Sequence, residues 1–307
     1  MSRGQNKLYQ IGEKHFMNFE TKIDRRKKYY LILDCETATL PYANKFSGKE
    51  KQIISIAKPL IYDLGWKLID RKGNVYSRKN YLITEVFSVP QVFDTAYYKD
   101  KRPIYFEKLA KGEIELVNWE TAVTDLEKDL QFIDSTGAYN SMFDFKKAIN
   151  FTESYITAVY SNDYTKWEAE QIKYCDYIVN NPHKQSQKTF DPLHFTLRQK
   201  EYPLFDIWGL SCVHLLNNDE YRQKCMDNQW LTASGKYYKS SAETTYRFIT
   251  DNNDFIESHT ALDDVEIETE IFLKILQMTK FKFEMGIIYF PFKVIGQVPI
   301  TPKGQTN

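Results

Sequence analysis

The chain has 307 residues, 42% of them hydrophobic and 27% charged, a mixture that suits a soluble globular protein with one elaborated domain or two small ones. Its 41 basic residues balance 41 acidic ones, which excludes a global positive field; any polyanion partner must be held by local patches or by metal ions. The opening "MSRGQNKLYQIGEKHF" lacks an apolar h-region, no apolar run approaches membrane-spanning length, and Cys35, Cys175, Cys212 and Cys225 show no CxxC spacing, so the expected setting is a reducing cytoplasm without a zinc or disulfide framework.

Residues 1–27 read as an N-terminal extension, with "RRKK" at 25–28 a solvated entry to the first strand. "KKYYLILDCET" carries β-branched and aromatic residues and ends in polar ones: a buried strand that presents Asp34 and Glu36 at its C-terminal end. "PLIYDLGWKLID", "RKGN" and "VYSRKNYLITEVF" predict a hairpin, with Leu64, Trp66 and Leu68 on one face and Gly73 in the turn. Ser88 to Leu116 is rich in Pro, Lys and aromatics and has no clean period, as in a long functional loop with a short helix inside. From Asn118, a plausible cap, helical spacing places Trp119, Ala122, Val123, Leu126, Leu130 and Ile133 on one stripe.

"STGAYN" predicts a short strand running into a helix at "SMFDFKKAI". Residues 151–204 interrupt the rhythm as an insertion, helical at "YTKWEAEQIKYCDYIV" and a polar, basic loop at "NPHKQSQKTFDPLHF". "PLFDIWGLSCVHLL" resumes it with a strand and helix, followed by a small hairpin around "WLTASGKYYK" and a helix at "SAETTYRFI". In "HTALDDVEIETEIF", Thr260 and Asp263 have capping-box spacing ahead of a stripe that includes Val265, Phe272 and Ile275. The expected organisation is one α/β domain over 28–290 carrying the insertion, with a tail at 291–307.

Among these elements a few polar residues stand where chemistry is possible. Side chains alternate along a strand, so Asp34 and Glu36 share a face; two such carboxylates repel unless cations neutralise them, and hard oxygens suit Mg²⁺ or Mn²⁺. Asp144 lies in the first turn of a helix among Met142, Phe143 and Phe145, where a charge calls for a partner. His259 precedes the helix cap and Asp264 sits about one turn inside it; taken alone, the pair also fits a loop histidine and a helix-dipole carboxylate. His214 fits an apolar helix, and His15, His183 and His194 have no ligand spacing.

"LILDCET", "YNSMFDF" and "HTALDD", in that order, resemble the three exonuclease motifs of the DnaQ-like, DEDDh 3′-5′ exonucleases, matching at Asp34, Glu36, Asp144, His259 and Asp264. The resemblance covers about residues 28–280. Cys35 takes the variable middle position of the first motif, and "TATL" stands where a glycine often follows it. The resemblance implies a ribonuclease H-like fold, a mixed five-stranded sheet flanked by helices, and two-metal hydrolysis of phosphodiesters. Asp34 would bridge both ions, Glu36 and Asp264 would complete one, Asp144 would support the other, and His259 would be the general base. Thr37 and Asn140 are the substrate-binding positions it implies. The implied partner is nucleic acid, above all single-stranded DNA 3′ ends, with replication or repair proteins as further candidates. An exoribonuclease and a binding module without catalysis are the alternatives.

Outside the motifs, Phe87, Phe93, Tyr97, Tyr98 and Tyr105 interleave with Lys99, Lys101 and Arg102, a composition that suits stacking on unpaired bases and equally suits a loop pinned to its own domain. Lys184, Lys188, Arg198 and Lys200 read as solvated surface or as a second line of phosphate contacts. "QMTKF" at 277–281 faintly resembles a sliding-clamp peptide and more simply ends a helix.

Overall fold

The structure, a computed structural model, describes residues 27–181, 194–278, 288 and 290–299. The chain starts with β1 (Tyr29–Ala38), a short 3-10 turn (Pro41–Lys45) and α1 (Lys49–Ala57), then forms the hairpin β2 (Leu60–Asp70) and β3 (Val75–Ile83). Short helices α2 (Thr84–Phe87), α3 (Pro90–Phe93) and α4 (Arg102–Lys111) lead to β4 (Glu115–Val117), α5 (Trp119–Leu130) and β5 (Ser135–Ala138). Next, α6 (Ser141–Phe143) continues through a π-helical turn (Asp144–Ile149) into α7 (Asn150–Tyr160), followed by α8 (Tyr164–Asn180). The second half holds β6 (His194–Leu197), β7 (Lys200–Asp206), α9 (Ile207–His214), α10 (Asp219–Asp227), α11 (Ala242–Thr250), α12 (Ala261–Leu276) and α13 (Phe292–Ile295).

The strands form one seven-stranded sheet in the order β4-β3-β2-β1-β5-β7-β6. Its centre, β3-β2-β1-β5-β7, has β2 antiparallel to both neighbours and β5 and β7 parallel to β1, a mixed sheet consistent with a ribonuclease H-like fold. Two edge strands go beyond the expected five. β4 pairs parallel with the end of β3, and β6 folds back antiparallel on β7. The β6–β7 turn was not legible because Arg198 and Gln199 take it at φ 45° and 72°, where Asn-Gly would be the usual signal. The Arg198 guanidinium holds the turn by bonding both Glu120 carboxylate oxygens, at 2.9 and 2.7 Å. The expected insertion, 151–204, therefore contains α8 and β6 and ends inside β7, a central strand. Its loop at 182–193, with Lys184 and Lys188, lies outside the described residues, as do most of "QMTKF" and His15.

The hydrophobic pattern explains the layers. Leu31, Leu33 and Cys35 of β1 join a core with Leu64, Trp66, Leu126 and Phe145 on one face; Tyr30 and Ile32 join Val265, Phe272 and Leu210 on the other. The Asn118 side chain caps α5, accepting from Thr121 N–H at 2.8 Å, and the stripe expected there is buried from Trp119 to Leu130, while Ile133 lies past the helix end and is half-buried. Ser88 to Leu116 is a run of short helices rather than a loop: Pro90 and Pro103 each open one, where a missing N–H costs nothing. Phe87, Phe93 and Tyr105 are buried and unavailable for stacking on bases; Arg102 packs over Phe93, 4.4 Å from the ring centroid. Among the described residues no helix is long and apolar enough to cross a membrane.

The N-terminus of α12 is seated directly on β2. A Cβ at Gly65 would stand 2.6 Å from the Leu262 backbone nitrogen, so only glycine permits this approach. Beside it, Asp63 Oδ2 accepts the Ala261 N–H at 2.9 Å. This replaces the expected capping box: Thr260 is the N-cap, but its hydroxyl donates to Asp263 Oδ2 at 2.7 Å, and Lys108 of α4 donates to both, at 3.0 and 2.7 Å. Gly65→Ala is expected to destabilise the fold by about 1–3 kcal/mol, since the clash is with backbone. Urea unfolding measures this, and a midpoint unchanged from the parent would contradict the seating.

Candidate active site

Asp34 and Glu36 continue the Tyr30–Ile32 side of β1 to its C-terminal end, where the apolar core gives way to a cavity of about 480 Å³. Gly65 lies opposite Asp34 in the β1–β2 ladder, so the helix that Gly65 admits brings Asp264 to the same place. Asp144 arrives from the other face of the sheet, at the start of the π-helical turn, a distortion often found at functional sites. Its helix start is fixed by Asp206, which accepts Ser141 N–H at 3.0 Å and Gly209 N–H at 2.8 Å. Cys35, between the two acids of β1, donates its thiol to Asp144 Oδ1 at 3.1 Å.

His259 takes φ 53°, a left-handed backbone that histidine adopts more readily than most residues but still at some strain. Its ring lies flat on Tyr98, centroids 4.4 Å apart at 12°, and Lys101 donates to the neighbouring Ser258 carbonyl. Nδ1 faces Glu257 Oε2 at 3.7 Å.

The cavity is thus lined by Asp34, Glu36, Asn140, Asp144, His259 and Asp264, six of the seven positions singled out in the sequence. Thr37 is the exception. It follows Glu36 on the strand and so faces the opposite way, into a neighbouring cavity of about 700 Å³ with Lys51, Thr95, Tyr97 and Lys99; Phe143 borders both. Within the first cavity, the ligand atoms of Glu36, His259 and Asp264 lie within 4.8 Å of one another, a group that Asp34 and Asp144 do not join.

Three lining acids and bases were not anticipated. Glu268 is four residues past Asp264 on the buried face of α12, a spacing that could have flagged it. Glu257 and Lys239 come from segments with no readable pattern. Tyr98, which holds the His259 ring, was noted only for its aromatic character.

Burial and mutual repulsion dominate the electrostatics. Burial, then Glu268 and Asp144, hold the Asp34 carboxyl well above its ordinary value; burial and Asp264 do the same to Glu36. Burial pushes Asp144 up to about 7 against the Cys35 thiol, and burial with the Glu257 charge pushes Asp264 up to about 9. His259 is lowered, by burial first and Lys101 second.

A carboxyl whose folded pKa exceeds its ordinary 3.8 binds its proton more tightly when folded, so its stabilising contribution is full below about pH 4 and is lost as pH rises through about 7 for Asp144 and about 9 for Asp264. Cation-free protein is therefore expected to melt at a lower temperature at about pH 8.5 than at about pH 6. Scanning calorimetry in chelator tests this; a melting temperature that climbs over that interval would contradict the crowding of acids.

No protein-family model and no curated protein matches the chain. Among solved structures, the chain is similar to the crystal structure of cell-death related nuclease 4 (CRN-4), with 9% sequence identity and a TM-score of 0.36 over 82% of this chain. The chain spans 64% of the length of that structure. The chemistry of the site therefore rests on this chain's own residues.

Proposed function

We propose that the chain is a metal-dependent 3′-5′ exonuclease that hydrolyses phosphodiester bonds at the 3′ end of DNA, on single strands or frayed ends. The observation that carries this reading is the meeting of Asp34 and Glu36, Asp144, and His259 and Asp264, from three distant stretches of chain, around one cavity. Polarity and the preference for DNA come from the resemblance of those stretches to the DnaQ-like motifs.

The donors fit divalent cations. They are hard oxygens, and Asp264 Oδ1 is buried with no hydrogen-bond partner among the described residues. Asp34, Glu36, Asp144 and Asp264 would hold two Mg²⁺ or Mn²⁺ ions, which when bound supply Lewis acidity, a lowered pKa of water and a clamp on the attacking and leaving oxygens. The same ions would offset the crowded carboxylates, which otherwise repel a phosphate chain.

The protein's own side chains do the rest. With Nδ1 turned to Glu257, His259 offers Nε2 to the proton of the attacking water. Burial and Lys101 keep the imidazole neutral, and so able to accept, near neutral pH. The water oxygen bonds to phosphorus, the bond from phosphorus to O3′ breaks, and a proton reaches the departing O3′, leaving a nucleoside 5′-monophosphate and a shortened strand. Lys239 in the cavity wall suits a phosphate oxygen, while Trp208 and Phe292, stacked at 6.3 Å, give an apolar wall for a base. Tyr97, 86% exposed, and Thr37 suit the strand farther along.

On 5′-labelled single-stranded DNA with Mg²⁺, the parent is expected to give a ladder that shortens stepwise, abolished by chelator and by Asp34→Asn; His259→Ala should slow it by about 10²–10⁴-fold. An intact strand, or cleavage undiminished in Asp34→Asn, would defeat the proposal, and faster digestion of RNA of the same sequence would favour the exoribonuclease. Because the Lys101 charge lowers the His259 pKa, Lys101→Met is expected to move the acid limb of the pH–rate profile to higher pH. A limb that stays in place would remove His259 as the group that titrates there.

A further inference from the structure

Glu268 lies one helical turn beyond Asp264 on α12, is 3% exposed and lines the same cavity. Its Oε2 accepts the Tyr139 N–H at 3.1 Å, and no other hydrogen bond to it occurs among the described residues. Tyr139 connects β5 to the helix that begins at Ser141 and carries Asp144. Glu268 thus stands where the three acid-bearing elements converge. Of the charged groups acting on Asp34 it acts most strongly, and Asp144 acts most strongly on it.

A carboxyl this deeply buried, with a single N–H for compensation, is costly to keep as a structural brace. An amide or hydroxyl would take the same N–H with no charge to desolvate. The carboxylate instead faces a cavity that already contains Asp264 Oδ1, 5% exposed for the whole residue and without a hydrogen-bond partner among the described residues.

We infer that Glu268 is a fifth carboxylate ligand of the cation site, meeting a divalent ion through Oε1 while Oε2 keeps the Tyr139 N–H. This rests on the cation-dependent reading of the site given above. It extends that reading to a residue outside the motifs, and makes α12 contribute two ligands, one turn apart, from a single rigid element.

The test is Mn²⁺ binding to the whole chain, followed by electron paramagnetic resonance of the free ion and by calorimetric titration, with no substrate present. Glu268→Gln keeps the acceptor for Tyr139 and removes the charge. Its Mn²⁺ affinity is expected to fall about tenfold or more, while its circular dichroism matches the parent and its cation-free melting temperature is not lowered. Glu268→Met, of similar size without polar ends, is the second variant should Gln disturb the fold. Parental Mn²⁺ affinity in either folded variant would reduce Glu268 to a brace for Tyr139 and overturn the inference alone. A parent chain that takes up no Mn²⁺ would overturn the cation reading of the whole site along with it.

Discussion

Everything in the candidate site depends on how closely one helix approaches one strand. The first turn of α12 rests on β2 where Gly65 has no side chain, and Asp63 fixes it there by taking the Ala261 N–H. Because Gly65 is the ladder partner of Asp34, that contact sets the distance between the acids of β1 and those of α12. A bulkier strand residue would lift the helix, and Asp264, Glu268 and the His259 turn would leave with it.

The cost of this close approach is electrostatic. A chain with 41 charges of each sign has no surplus to spend, yet it gathers the half-buried Asp34 and Glu36 with the buried Asp144, Asp264 and Glu268 around one cavity. Desolvation and like-charge repulsion raise every one of their pKa values. Such an arrangement stores unfavourable energy in the cation-free fold and returns it when positive charge enters, which couples stability to binding.

Much of the frame was legible because periodicity records burial. α5 and α12 show it, β2 is instead buried along its whole length, and the alternation of β1 placed Asp34 and Glu36 on one face. The residues of the three motifs line one cavity, but Thr37 faces away from it by the same alternation. Other features had weaker signals. Gly65 is an isolated glycine in a strand, a sign of close backbone approach that says nothing about what approaches. Asp63 caps a helix almost two hundred residues away, a pairing no local spacing encodes. Glu268 stood in an acidic helix where any one acid looks like surface charge, and only its place on the buried stripe distinguishes it.

The stack of Tyr98 on His259 divides the site into parts of different origin. The acids are carried by the central strands and the helices docked on them, whereas the ring that holds the histidine comes from the string of short helices between β3 and β4. Local opening there, far less costly than global unfolding, would release the imidazole and leave the carboxylates in place. Under the function proposed above, holding ions and turning over substrate would therefore depend on different parts of the molecule, the first on the sheet and its docked helices, the second on the peripheral segment.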